Sequence, residues 1–110
     1  MEANRDQAAE ALQLARKRTD PVAAARLAEK SNALFPTLEA ESLARTLRAL
    51  ARIMTPGASH YEVLSLPIEA ENSAIHAAYR AFVLLCHPDK CGHPAAADAF
   101  KRVVDAHSVL

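Results

Sequence analysis

Four side chains able to bind a metal ion lie close together near residue 90. Cys86, His87, Cys91 and His93 fall within eight residues, and thiol and imidazole groups are the usual ligands of zinc. Their spacing is not the C-x2-C with a distant second pair that is typical of structural zinc sites. Cys86 also takes a core-facing helical position, as free cysteine commonly does. We therefore expect neither a metal nor any other cofactor.

A nucleophilic site could also be written from this segment, with Cys86 as nucleophile, His87 as base and Asp89 as the group that orients the base. These residues are sequence neighbours on a predicted convex turn, where neither a pocket nor an oxyanion donor is expected. Covalent catalysis needs both. The chain is therefore not expected to be an enzyme.

Docking onto a partner is the third use of the segment. Pro88 cannot continue the preceding helix, and it forces His87 out of the helical region. His87 and Asp89 should then face water on a stiff turn between the apolar runs 75–85 and 95–110. An ionised Asp89 can pair with an arginine in a charge-assisted bond worth roughly 1.5 to 3 kcal/mol. A rigid, exposed and polar corner of this kind suits the binding of another protein.

Composition limits the scaffold that carries this corner. The 110 residues are 51% hydrophobic with zero formal net charge, which suits one or two small soluble domains and gives no reason to expect a nucleic-acid partner. No apolar run approaches the roughly 18 residues of a membrane span. Only two glycines and two cysteines are present, so β-hairpins and a disulfide framework are disfavoured. We expect an all-α protein of the cytosol.

The N-terminal half predicts three helices. Asn4 and Gln7 suggest a capped helix over residues 4–18, and Asp20-Pro21 suggests the start of a second that ends at Phe35-Pro36. Thr37 could cap a third helix. Its predicted buried stripe consists of Leu43, Leu47, Leu50 and Met54. Arginines 45, 48 and 52 recur on another face of this helix. The simpler interpretation is that this face is exposed to solvent, and the alternative is that it contacts an acidic partner. We predict a helical hairpin plus a third helix over residues 1–54, followed by a linker at 55–59.

The C-terminal half predicts a second helical hairpin over residues 60–110. A short helix over residues 61–66 should end at Pro67, and a longer one should run from Glu71 or Asn72 to Cys86. Its predicted buried stripe consists of Ile75, Ala78, Tyr79, Phe82 and Cys86. After Gly92-His93-Pro94, a further helix should bury Ala96, Phe100, Val103, Val104, Ala106, His107 and Leu110. The two long helices would hold the corner at one tip.

Residues 60–110 resemble the J-domain of the DnaJ (Hsp40) co-chaperones. The resemblance is carried, in order, by Tyr61-Glu62-Val63-Leu64, Leu66-Pro67, Ala70, Ile75, Ala78-Tyr79-Arg80, His87-Pro88-Asp89-Lys90, Phe100-Lys101 and Ala106. It implies docking on the ATPase domain of Hsp70 and stimulation of its ATP hydrolysis, in the service of protein folding or quality control, with unfolded clients as further partners. The residues that it implies for Hsp70 binding are His87, Pro88, Asp89, Lys90, Arg80, Tyr79 and His76. The family's short fourth helix has no counterpart before Leu110, so we expect a J-domain truncated before that helix.

The N-terminal half is similar to the corresponding segment of class B J-proteins anchored in the endoplasmic reticulum membrane. The similarity is carried by Met1-Glu2, Asn4-Arg5-Asp6, Ala8, Ala28-Glu29-Lys30 and Phe35-Pro36. It implies a place on the cytosolic face of that membrane as an alternative to the free cytosol. The membrane-spanning segment that follows the J-domain in that family is not expected in this sequence.

The predicted docking helix departs from the family pattern in its charge. Arg80 is kept, but His76, Ala77, Ala81 and Leu85 stand where the family usually has basic or polar residues. Residues 55–110 carry four Lys and Arg against six Asp and Glu. Electrostatic attraction towards the acidic groove of Hsp70 should therefore be weak. The hypothesis is a J-domain whose corner can still act on Hsp70 but whose docking is weakened. The alternative is a helical interaction adaptor whose degenerate J-like half does not stimulate Hsp70.

Overall fold

The computed structural model describes residues 2–87 and 91–110, with Glu2 described in its backbone alone. These residues form α-helices and no strand, which confirms the predicted all-α class. The six helices are α1 (Glu2–Lys17), α2 (Pro21–Leu34), α3 (Leu38–Ile53), α4 (His60–Val63), α5 (Asn72–Cys86) and α6 (Ala96–Val109). The chain divides into two compact units, residues 1–51 and 52–110. The predicted domain boundaries stay a prediction.

The first unit is built on a hairpin of α1 and α2 with small side chains in its core. The buried residues of these two helices are Ala8, Ala11, Ala15, Ala24, Ala25, Ala28 and Ser31. Because alanine ends at Cβ, the two helix backbones can approach closely. This close approach allows the buried Ser31 hydroxyl to donate a hydrogen bond of 2.7 Å to the carbonyl oxygen of Ala8.

Local capping sets where the first helices begin. Asp20 accepts a hydrogen bond of 3.2 Å from the Val22 amide, with Pro21 as the first helical residue. Thr37 accepts one of 3.0 Å from the Ala40 amide. Both predicted caps are confirmed. The predicted Asn4 cap is wrong, since α1 already includes Glu2 and Ala3, which are good helix formers and extend the helix past the asparagine.

The buried side of α3 is only partly as predicted. Leu47 and Leu50 are fully buried, whereas Leu43 and Met54 are half-buried. The other buried residues of α3 are Ala40, Ala44 and Ile53, which the prediction missed. Arginines 45 and 48 form exposed ion pairs with Glu41 and Glu29, at 3.2 and 3.0 Å. Each of these exposed pairs contributes little stability, and the solvated-face interpretation stays a prediction.

In the second unit α4 is a single turn closed at both ends. Ser59 and Glu62 form a reciprocal capping box, in which the Glu62 amide donates to Ser59 Oγ at 3.1 Å. The chain leaves the turn at Ser65, whose φ of 57° is left-handed. The Leu66 amide then donates to the Tyr61 carbonyl at 2.8 Å, as in a Schellman motif. This motif ends the helix before Leu66, so the predicted end at that residue is wrong.

The long helices α5 and α6 pack against each other, and α5 begins at Asn72 and ends at Cys86 as predicted. Ile75 and Cys86 of α5 are buried, while Ala78, Tyr79 and Phe82 of the predicted stripe are half-buried. The stripe predicted for α6 is partly wrong. Its buried residues are Ala96, Ala99, Val103 and Ala106, whereas the predicted Phe100, Val104, His107 and Leu110 are half-buried. Across the described part of the chain, no helix combines the length and the apolar character needed to cross a membrane.

Candidate docking site

The corner after α5 begins at His87. This residue has φ −59° and ψ 125°, so it has left the helical region, as predicted from the proline that follows it. Its carbonyl oxygen accepts a hydrogen bond of 2.9 Å from the Cys91 amide. The other corner residues of the predicted site, Pro88, Asp89 and Lys90, lie outside the described residues.

The His87 ring is positioned by α6. It is half-buried, and its centroid lies 5.3 Å from that of Phe100 in an edge-to-face arrangement with an interplanar angle of 69°. The prediction that His87 faces water is therefore only partly right, because the sequence did not reveal its aromatic neighbour. A ring held in one orientation loses less conformational entropy when it binds a partner.

Cys86 and His93 support the fold beside the corner. Cys86 is fully buried, and its thiol donates to the Phe82 carbonyl at 2.9 Å. Burial, with a smaller contribution from Cys91, raises the pKa of the Cys86 thiol to about 11. The thiol thus stays protonated at neutral pH, whereas the thiolate is the metal ligand and the nucleophile. His93 is buried, and its Nδ1 accepts a hydrogen bond of 3.0 Å from the Ala95 amide.

Among the residues that the structure describes, no group of three or more His, Cys, Asp or Glu side chains is placed to hold a metal ion. The Cys86 thiol and His93 Nδ1 are both bonded to backbone groups. Their role before α6 is structural.

The face of α5 away from the corner carries the remaining predicted residues. His76 and Arg80 are exposed and Tyr79 is half-buried. The structure brings His76 and Tyr79 together with His107 of α6, which the site prediction missed. The His107 ring stacks on Tyr79, with centroids 3.8 Å apart and planes at 17°. His107 Nε2 lies 3.4 Å from His76 Nδ1.

These α5 residues are not next to the corner. Eleven residues separate His76 from His87, which corresponds to about 16 Å along the helix axis. Arg80 is the single charged residue of α5, and its exposed neighbours include Ala77, Ala81 and Leu84. The predicted docking residues that the structure describes therefore lie in two separate places: His87 beside Phe100, and a face of α5 with little charge.

The helices α5 and α6 pack against each other, and His87 lies where α5 ends. Residues 59–110 match the DnaJ domain family. The match covers 52 of the 110 residues and supports the resemblance to the J-domain.

Known relatives extend over much more sequence than this match. DnaJ homolog subfamily C member 5B of Ailuropoda melanoleuca is 44% identical over 59 residues, which are 53% of this chain and 30% of the relative. DnaJ homolog subfamily B member 14 of Homo sapiens is 42% identical over 52 residues, 47% of this chain and 14% of the relative. For DnaJ homolog subfamily B member 5 of Homo sapiens the identity is 39% over 54 residues, 49% of this chain and 16% of the relative.

The chain thus spans less than a third of the length of these relatives. They fall in subfamilies B and C, so the class B assignment stays a prediction. No solved structure matches the chain significantly.

Proposed function

We propose that this chain is a co-chaperone whose J-domain docks on the ATPase domain of Hsp70 and stimulates its ATP hydrolysis, in support of protein folding or quality control. One observation carries the proposal. The DnaJ domain match covers residues 59–110, and within it the sequence His87-Pro88-Asp89 directly follows the long helix α5. In this function the chain is an activator rather than an enzyme, because the ATP chemistry belongs to its partner.

The corner residues have distinct parts in this proposal. Asp89 supplies a carboxylate for an arginine of the partner, and Pro88 limits the conformations that docking must select. His87 adds a hydrogen-bonding imidazole that Phe100 already orients. Lys90 places a positive charge beside them. None of these roles needs a pocket, a metal or a cofactor.

The second contact in the proposal is the α5 face with Arg80, Tyr79 and His76. Here the charge is low, because Arg80 is the helix's single charged side chain and residues 55–110 carry four basic against six acidic residues. Long-range attraction to an acidic groove scales with such charge and weakens with salt. We therefore expect slower association than for a strongly basic J-domain, and a shallow dependence of the association rate on ionic strength.

For the setting of this activity we propose a class B J-protein in the cytosol or on the cytosolic face of the endoplasmic reticulum. Support comes from the N-terminal resemblance that begins at Met1-Glu2 and continues through Phe35-Pro36. Fractionation of cells that express the tagged chain tests this proposal. Recovery in the mitochondrial matrix or in the secretory lumen would contradict it.

Single-turnover ATP hydrolysis by a cytosolic Hsp70 tests the central proposal. The wild-type chain should accelerate hydrolysis, and the Asp89→Asn variant should not, because it loses the charge that pairs with the partner's arginine. Asp98→Asn is the matched control, since it makes the same chemical change at an exposed position in the first turn of α6. The control should retain the acceleration.

The adaptor is the second candidate function, and the exposed strip of Ala77, Ala81 and Leu84 on α5 favours it. Such a surface suits an apolar partner better than an acidic groove. In the same assay, hydrolysis rates that are equal for wild type and Asp89→Asn would contradict the co-chaperone proposal. They would leave the adaptor as the function to pursue.

A further inference from the structure

An imidazole pair bridges the two long helices of the J-domain. His76 lies on α5 and His107 on α6, 31 residues apart in sequence, yet His76 Nδ1 and His107 Nε2 are 3.4 Å apart. The two ring centroids are 5.3 Å apart with planes at 60°. His76 is exposed and His107 is half-buried, so a small solute can reach the nitrogens from solvent.

The separation of the two nitrogens suits a shared ligand. At 3.4 Å the two imidazoles can share a proton in a weak hydrogen bond, whose donor depends on the tautomer. Two imidazole nitrogens that ligate one tetrahedral zinc ion, at about 2.0 to 2.1 Å each, are about 3.3 Å apart. A cation could therefore take the place of that proton with little movement of either ring.

The pair is also held in place before any ligand arrives. Tyr79 stacks on the His107 ring at 3.8 Å between centroids, which limits rotation of that ring. The two histidines come from helices that pack together. A preorganised pair of ligands binds with less loss of conformational entropy than two mobile side chains.

We propose that His76 and His107 form a two-histidine site for a divalent transition-metal ion of the class that prefers imidazole, such as Zn²⁺ or Ni²⁺. The protein supplies two ligands, and water completes the coordination. The site is separate from the Cys86 and His93 segment, where the Cys86 thiol and His93 Nδ1 bond to backbone groups. It does not depend on the co-chaperone proposal, since it concerns the binding of a cation and the fold alone.

Such a site should act as a clamp between α5 and α6. The pairing exists only in the folded chain, because 31 residues separate the ligands in the unfolded one. A cation present at about 100 times its dissociation constant should then lower the unfolding constant of the J-domain roughly 100-fold.

Calorimetric titration of the full chain with Ni²⁺ tests the proposal, together with thermal unfolding followed by circular dichroism. We expect one tight-binding equivalent per chain and a higher unfolding temperature in the presence of the ion. His76→Asn changes an exposed side chain, so it should fold while binding at least about tenfold more weakly. His60→Asn is the matched control, because it removes another exposed histidine from the same unit. It should bind as the wild type does.

Two results would overturn the proposal. One is the absence of binding heat at millimolar Ni²⁺ in the folded wild-type chain. The other is a dissociation constant in His76→Asn equal to that of the wild type, since the ion would then be held elsewhere. Neither result would alter the ATPase comparison of Asp89→Asn, so a failure here is distinguishable from a failure of the proposed function.

Discussion

The proposed function predicts that replacement of Phe100 by leucine weakens docking on Hsp70 without unfolding the α5–α6 hairpin. Phe100 lies on α6, and its ring packs edge-to-face with the His87 imidazole, with the two ring centroids 5.3 Å apart. Leucine keeps an apolar side chain at this half-buried position but removes the aromatic surface. His87 should then sample orientations that the partner does not accept.

The size of the effect follows from that one contact. An edge-to-face aromatic pair is worth about 0.5 to 1.5 kcal/mol beyond simple burial. If all of it serves to orient His87, affinity for the ATPase domain should fall about two- to twelvefold, because about 1.4 kcal/mol corresponds to a factor of ten. Maximal stimulation at saturating chain should change less, since Asp89 is untouched.

The assay is a titration of Hsp70 with the chain, read as the rate of single-turnover hydrolysis and as direct binding to the ATPase domain. Val103→Ala is the control, because Val103 is a fully buried residue of α6 and its truncation lowers stability. Equal losses of affinity in Phe100→Leu and Val103→Ala would refute the reasoning. They would mean that stability of the hairpin, rather than orientation of His87, limits docking.

The remaining predictions concern stability and reactivity. Ser31→Ala removes a buried hydroxyl that bonds to α1, and should lower the free energy of unfolding, measured by urea denaturation, by about 1 to 2 kcal/mol. Ser108→Ala is the exposed comparison. It removes a hydroxyl with a 2.8 Å bond to a backbone carbonyl, and should lower the free energy of unfolding by less than about 0.5 kcal/mol. Ser65→Gly should raise stability by about 1 kcal/mol, since the left-handed φ of 57° strains any residue with a Cβ, and an unchanged or lower midpoint would contradict this. Because the pKa of the Cys86 thiol is raised from 9.0 to about 11, its contribution to stability should be complete below pH 9 and lost as the pH rises towards 11. A Cys86→Ala variant should lack that component of the alkaline decline, and iodoacetamide should label Cys91 before Cys86 at neutral pH.

Sequence reasoning succeeded where one local interaction decides the structure. Asp20 before Pro21 defines a helix start, and Pro88 prevents His87 from remaining helical, because these effects act within two or three residues. It failed where two local signals compete. Asn4 is a good cap, yet the helix-forming residues before it extend α1 past that position. Ser65 gave no signal of a left-handed turn, since its residue type seldom adopts one.

The contacts that shape the candidate site depend on how α5 and α6 pack. His76 and Tyr79 are three residues apart, so helical periodicity alone places them near each other. Their contact with His107, like that of His87 with Phe100, requires the register between two helices whose relative rotation is fixed by Ala99, Val103 and Ala106. Periodicity identifies the buried face of each helix but not which residues meet across it. The aromatic partners of the site were therefore beyond what the sequence could predict.

Corner and helix face contribute to docking in different ways in the proposed function. Contacts at the corner act at hydrogen-bonding distance and mainly govern how slowly the complex dissociates, whereas exposed charge on α5 mainly governs how fast it forms. With Arg80 as the single charge of that helix, little affinity can come from the association rate. Affinity must then depend largely on the corner, where Phe100 reduces the entropy that His87 loses on binding. This division explains why a ring on α6 should matter to a binding site formed by the residues that follow α5.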